Sequence, residues 1–415
     1  LKLVVASRKV HEGAASFGGI VPPGTRSISV FVVNERTPIP DPGPEAASRA
    51  DESNVFQVEL TVWCDEPFVA RPDLRGRETD DRDEQVAELQ YRDVYEYAVG
   101  HGVATHATLS SKGECFQVAT TWVPDAIVEK VVPADVGAQV TLGMEALSMM
   151  KSTAQLRECL GGLVTRYAAW IETQRRTTDA LRKDTAHPQR VEVAEDLLAH
   201  AEVARLRIED GLRCLDDPDA FLCFATMNHA MARAQWQRSP ERYDRAKGEM
   251  PTWFPFQIAF ILMNLRGIVE PTRPDRRLVD LLFFPTGGGK TEAYLGIAAF
   301  TILYRRLRNG SRAEGSGGAP PPPPRYAGVS VLMRYTMRLL TLDQLGRAAT
   351  LICALELTRR EDEKTWGKWP FEIGLWVGSG ATPNDMGHKG DHRDDTALAR
   401  TIAHKRDSKQ RPPLP

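Results

Sequence analysis

The 415-residue chain predicts a multidomain protein of mixed α/β and α+β class. The expected order is a β-rich N-terminal region, a helical region and a C-terminal portion built on a parallel sheet. Three observations carry this. Residues 1–145 hold short alternating apolar runs separated by Pro, Gly and Asp. Residues 146–250 change to a repeat of three to four residues. Residues 251–415 alternate strand-like and helix-like segments around the glycine loop at 283–292, FFPTGGGKTE. That alternation implies parallel strands with helices on their faces. A chain of this length holds about two or three domains, each able to bury a core.

In the first region, Ser27–Val33, Val55–Trp63 and Cys115–Trp122 are strand candidates. Their β-branched and aromatic residues suit a half-buried pleated surface. The stretches Thr37–Pro44 and Pro72–Asp83 read as turns. Val99-Gly100-His101-Gly102 reads as a tight turn rather than the seat of a reactive histidine.

In the second region, Leu156, Leu160, Leu163, Tyr167 and Ile171 mark one helix. Val193, Leu197, Ala201, Leu206 and Leu212 mark another, with Pro188 near its start. Phe221, Phe224, Ala225 and Met231 mark a third, over Asp219–Trp236. Charged residues fill the remaining positions, so an amphipathic bundle is expected.

In the third region, the run 278–284 is apolar at nearly every position, as for a strand buried on both sides. A helix follows the glycine loop and ends in Arg305, Arg306 and Arg308 before Asn309-Gly310. Residues 311–324 (SRAEGSGGAPPPPP) form a flexible Gly/Pro insert, read as a solvated loop. A strand near Gly328–Met333, a helix near Leu340–Arg359 and a strand near Phe371–Val377 complete the pattern.

The loop carries the chemistry. Without side chains at Gly287, Gly288 and Gly289, backbone N–H groups from Gly287 to Thr291 can point at phosphate oxygens. Thr286 leads in and Glu292 leads out. Lys290 would neutralise the β- and γ-phosphates of ATP, and the Thr291 hydroxyl would hold Mg²⁺. The strict Walker spacing wants glycine at 284, where this chain has Phe284. A Pro-Thr-Gly-x-Gly-Lys-Thr loop is instead common in superfamily 2 helicases, whose ATP-binding domains are RecA-like. Such helicases often carry an upstream glutamine that reads the adenine edge, and Gln257 stands at a helix start in that place.

Downstream, Arg334, Thr336 and Arg338 lie where a strand should pass into a helix. They are suitable donors for a DNA backbone, or else partners in surface ion pairs. Ser379 and Gly380, in Gly378-Ser379-Gly380, would let a DNA backbone approach closely, or else form a turn. His388 and His392 are four residues apart, but Gly387, Gly390 and the surrounding aspartates argue for a polar loop rather than a metal site. Hydrolysis of ATP also needs an acidic pair after a second apolar strand. Glu361-Asp362-Glu363 follows no strand, and Asp394-Asp395 has no apolar lead-in. An arginine finger has no evident home. The expectation is a chain that binds ATP but does not cycle efficiently alone.

Bulk properties narrow the classes. Net charge is −2, so DNA contact would need a local basic path. The six cysteines form no CxxC pair, which argues against zinc ribbons and for a reducing cytoplasm. No apolar stretch is long enough to span a membrane, and no signal-peptide layout opens the sequence. The chain begins at Leu1 and ends at Pro415 without a closing element, which reads as a piece of a longer protein.

Several segments together resemble the helicase subunit of the DISARM anti-phage defence system. They are Tyr97–Gly102, Phe224–Gln235 (FATMNHAMARAQ), Pro255–Leu265 (PFQIAFILMNL), the loop with its trailing Glu292-Ala293-Tyr294-Leu295-Gly296, and Leu332–Gln344 (LMRYTMRLLTLDQ). The resemblance spans most of the chain. It implies a superfamily 2 helicase or translocase that acts with a partner subunit on foreign DNA. The residues then divide into a β-rich domain (1–145), a helical domain (146–250) and an incomplete first RecA-like domain (251–415). Two other readings stay open: a P-loop ATPase switch that is no helicase, and a nucleotide-binding scaffold that controls partner assembly.

Overall fold

The computed structural model describes residues 1–10, 21–37, 53–71, 80–123, 132–184, 187–244, 247–283, 289–310, 328–335, 338–376 and 383–410. These divide into two units. One comprises residues 1–130 with 176–197, the other 131–175 with 198–415.

The first unit holds two antiparallel sheets. Strands β1 (Lys2–Lys9) and β2 (Arg26–Val33) form a ribbon in register from Lys2 opposite Val33 to Lys9 opposite Arg26. Strands β3 (Thr61–Phe68), β4 (Ala104–Leu109) and β5 (Cys115–Thr121) form a second sheet with β5 in the middle. The run expected to be a strand over Val55–Trp63 is one only from Thr61 onward. Helix α1 (Arg82–Gln90) is capped by Asp81, whose carboxylate accepts the Asp83 N–H at 2.9 Å. Leu89 packs with Val193 and Ala194 in a small core. Beside it, Arg190 forks onto Glu88, with Nη2 and Nε at 2.5 and 2.9 Å from Oε1.

The second unit is predominantly helical. Its helices are α2 (Met144–Ser148), α3 (Thr153–Leu181), α4 (Gln189–Cys214), α5 (Pro218–Arg238), α6 (Pro255–Val269), α7 (Lys290–Gly310), α8 (Arg338–Glu361), α9 (Glu363–Trp366) and α10 (Ala397–Arg406). The ends of α3 and α4 between residues 176 and 197 fall in the first unit. Helix α5 packs against α2, α7 and α8, and α6 packs against α7. Leu156, Leu160 and Leu163 of α3 are buried, as their spacing predicts. On α4 the expected apolar face is only partly buried: Val193 and Leu212 face cores, while Leu197 and Leu206 are exposed. Helix α5 opens with Asp217 as its cap and Pro218 in its first turn, and it buries Phe224, Met227 and Met231. Burial drives the Cys214 thiol up to about 12 and that of Cys223 well above its ordinary value, so both serve as packing groups.

The parallel sheet expected in the C-terminal portion is not present among the described residues, whose strands are all antiparallel and lie in the first unit. The runs at 278–283, 328–335 and 371–376 form no strands. Val279 is 97% exposed, Phe283 89% and Trp376 95%. A strand apolar on both faces needs a neighbour on each edge, and an isolated run of sequence cannot reveal whether one is there. Arginines instead hold the three runs. Arg207 on α4 makes a two-pronged pair with Asp280 at 2.5 and 2.8 Å. Arg305, near the end of α7, donates to the Val329 carbonyl at 2.7 Å. Its neighbour Arg306, buried, donates to the carbonyls of Trp366 and Trp369 at 3.0 and 2.6 Å and lies over the Phe371 ring. At Val329 a guanidinium donor thus satisfies a carbonyl that a neighbouring strand would otherwise meet.

Candidate functional site

The site is assembled at the start of α7. The segment before α6 is fixed first. Trp253 N–H donates to the Leu142 carbonyl at 2.9 Å, and the Pro251 carbonyl accepts the Met144 N–H at 3.0 Å. This seats the Trp253 ring in the core, where its burial contributes on the order of 2–3 kcal/mol. Its indole N–H donates to Asn228 Oδ1 on α5 at 2.7 Å, and Asn228 Nδ2 donates to the Phe224 carbonyl one turn earlier. The polar Asn228 is completely buried, and these two bonds satisfy it.

Trp253 and Ile261 press on α7 at Gly296. A Cβ there would stand 2.6 Å from Ile261 Cδ1 and 3.0 Å from the Trp253 ring. Glycine at 296 is therefore what lets α7 lie so close to α6.

Helix α6 then presents Gln257. Phe254 precedes the helix, Pro255 occupies its first turn, and Gln257 Oε1 accepts the Phe254 N–H at 2.7 Å. This is half of a capping box, because the Phe254 ring cannot return a bond. The other end of the same amide donates to the Gly289 carbonyl at 2.6 Å. Gly289 has φ +84°, and a Cβ there would stand 2.8 Å from Gln257 Nε2. The left-handed φ favours glycine, and a Cβ would also displace the Gln257 amide. Helix α7 begins at the next residue, Lys290. The first N–H groups of a helix have no partner within it, so Lys290 and Thr291 sit at an end with donors and a positive dipole.

Glu292 faces away from that end into the protein. It is 8% exposed, and its Oε1 collects three donors. Gln235 Nε2 and Arg238 Nη2 on α5 approach at 3.4 and 3.2 Å, and Arg347 Nη2 on α8 makes a closer contact. Gln235 Oε1 accepts in turn from Arg238 and from the Tyr243 hydroxyl. Sequence reasoning did not pick out Gln235, Arg238 or Arg347. Their signal in the sequence is faint: Gln235 and Arg238 lie one turn apart on a largely apolar helix face.

Arg334 is exposed and lines a cavity of about 620 Å³ together with Tyr294, Thr301, Asn264, Asp275 and Tyr335. Tyr294, Ile297, Ala298 and Thr301 line it, so the cavity runs along α7. Burial raises the pKa of Tyr294 and of Tyr335; at Tyr335 the neighbouring Tyr294 raises it further and Arg347 opposes. Arg338 opens α8. Thr286, Gly287, Gly288, Thr336, Ser379 and Gly380 lie outside the described residues, as does the insert 311–324. His388 and His392 are on the segment before α10, where His388 Nδ1 lies 3.2 Å from the Lys389 carbonyl. Among the described residues, no helix is long and apolar enough to cross a membrane.

No family model matches the chain. A similar protein is the DISARM protein DrmA of Bacillus paralicheniformis, 32% identical over 384 residues. The similarity covers 86% of this chain but 31% of that relative, so the chain spans about a third of the length of the protein it matches. Sustained identity of this order along nearly the whole sequence identifies the chain as a DrmA-like DISARM protein.

Proposed function

We propose that the chain binds ATP with Mg²⁺ at the junction of the glycine loop and α7, as part of a superfamily 2 DNA helicase or translocase in an anti-phage defence system. The observation that carries the reading is the Gln257–Gly289 bond at the first residue before α7. It ties an upstream glutamine to the glycine loop at a helix N-terminus, which is a natural anion site. Lys290 would hold the β- and γ-phosphates, backbone N–H groups of Gly287 to Thr291 would cradle them, and Thr291 would ligate Mg²⁺. The donor set suits the group: amide N–H groups, an ammonium and a hydroxyl, with no carboxylate facing the phosphates from Glu292. Gln257 keeps one N–H and one lone pair after its two bonds, the pair an adenine edge requires.

The DNA part of the reading rests on Arg334 and Arg338, with Thr336, Ser379 and Gly380 as further backbone contacts. The defence role and the partner subunit rest on similarity to DrmA. In such an assembly ATP turnover would be driven by DNA. Titration with a fluorescent ATP analogue tests the site. Lys290→Ala is expected to weaken binding at least tenfold, and unchanged affinity would remove the assignment. DNA-stimulated ATPase activity of the full-length protein separates a motor from the alternatives. Turnover that ignores DNA favours a P-loop switch, and nucleotide binding without turnover favours a scaffold.

A further inference from the structure

We propose that Arg238 and Arg347 hold a monatomic anion of the chloride class in a small cavity between α5, α7 and α8. The site takes no part in the nucleotide reading above and stands or falls without it.

Four observations lead there. The cavity has a volume of about 10 Å³, room for one sphere the size of a water molecule. Its charged lining is Arg238 on α5 and Arg347 on α8, with Met231, Leu295 and Leu351 forming much of the rest, and among the described residues no carboxylate lines it. The charge beside it is unbalanced. Both guanidiniums pair with the one carboxylate of Glu292, and among the described residues no second carboxylate pairs with either. Finally, Arg347 Nε is buried and has no hydrogen-bond partner among the described residues.

A buried N–H left without an acceptor costs more on a charged group than on a neutral one. A water molecule would accept that N–H but leave the extra positive charge uncompensated. A monatomic anion would do both, in a place where electrostatic attraction is stronger than in water. The volume sets the class of ligand: phosphate, sulfate and carboxylate groups are too large for it. Chloride is slightly larger than a water-sized sphere, and Arg238, whose side chain is 34% exposed, can give way at the rim. With its two arginines on α5 and α8 and Leu295 on α7, the bound anion would fasten three helices together.

The test compares melting temperatures of the full chain in sodium chloride and in sodium gluconate at constant ionic strength, for wild type, Arg347→Met and Glu292→Gln. Gluconate is too large for the cavity and serves as the reference. In wild type, replacing gluconate by chloride should raise the melting temperature saturably, by about 1–3 °C at ten times the dissociation constant. Arg347→Met should lose that rise, whatever its own melting temperature. Glu292→Gln should lower the half-saturating chloride concentration about fivefold or more, because it removes the competing negative charge. If Arg347→Met is unfolded by circular dichroism, Arg347→Gln takes its place, since it keeps a donor for Glu292 without the charge. The absence of any difference between chloride and gluconate in wild type overturns the proposal and leaves the cavity to water. A full chloride effect in the folded Arg347 variant overturns it too, as does an unchanged half-saturation in Glu292→Gln. An equal saturable effect of inorganic phosphate would place the anion on the surface and overturn it as well.

Discussion

Gln257 and Gly289 are joined by a 2.6 Å hydrogen bond from side-chain amide to backbone carbonyl, and the same amide accepts the Phe254 N–H at 2.7 Å. One side chain therefore caps the start of α6 and holds the last glycine before α7. We predict that Gln257→Glu weakens nucleotide binding more than Gln257→Ala does. The glutamate would set an acceptor against the Gly289 carbonyl, while alanine simply removes the bond. Losing one such bond costs about 1 kcal/mol, or roughly a fivefold loss of affinity. Calorimetric titration of both variants checks the order.

Gly289→Ala should be more damaging than its small size suggests. The left-handed backbone costs a non-glycine residue about 1–2 kcal/mol, and the new methyl would collide with Gln257. The expected outcome is loss of nucleotide binding with a small fall in melting temperature. Retention of full affinity would mean that the loop does not need this conformation.

Asn228→Ala would strand the buried Trp253 indole N–H. An unsatisfied buried donor costs about 1–3 kcal/mol. Urea unfolding should show a loss in that range. Because Trp253 also presses on α7 at Gly296, nucleotide affinity should fall with it.

Glu356 on α8 makes stability depend on acidity. Hydrogen bonds from Arg359, and then from the Phe371 N–H and Arg360, outweigh burial and hold its carboxyl at about 2. A folded value below the unfolded one means that the contribution is complete above the unfolded value, near 4.5, and is lost as pH falls toward 2. Glu356→Gln should therefore destabilise the protein at neutral pH and flatten the acid limb of a plot of urea midpoint against pH. Equal slopes for wild type and variant would rule out Glu356 as a source of acid sensitivity.

Charge reversal at Arg334 and Arg338 should weaken DNA binding and reduce its salt dependence, since each phosphate contact adds about one unit to the logarithmic slope. Binding isotherms at several salt concentrations check this. An unchanged slope would place the DNA path elsewhere.

Much of this protein is legible in its sequence, because local chemistry suffices where neighbours are close along the chain. Leu156, Leu160 and Leu163 reveal a helix, since a 3.6-residue period puts them on one side. Lys290 marks the start of α7, since glycines precede it and an apolar helical pattern follows. Cys115–Thr121 forms a strand, as its β-branched residues suggest. What the sequence could not determine depends on partners distant along the chain. The runs at 278–283, 328–335 and 371–376 read as strands, but strand identity lies in the neighbour, and Arg207, Arg305 and Arg306 hold the three runs instead. Glu292 looks like part of a phosphate loop, yet its carboxylate belongs to Gln235, Arg238 and Arg347 on two other helices. Gln257 looks like a ligand-reading residue, and only the packing of α6 against α7 brings its amide to the Gly289 carbonyl. Periodicity and turn chemistry determine which segments become helices. Tertiary structure decides where each buried charge and amide finds its partner, because those bonds must be satisfied wherever packing brings the groups together.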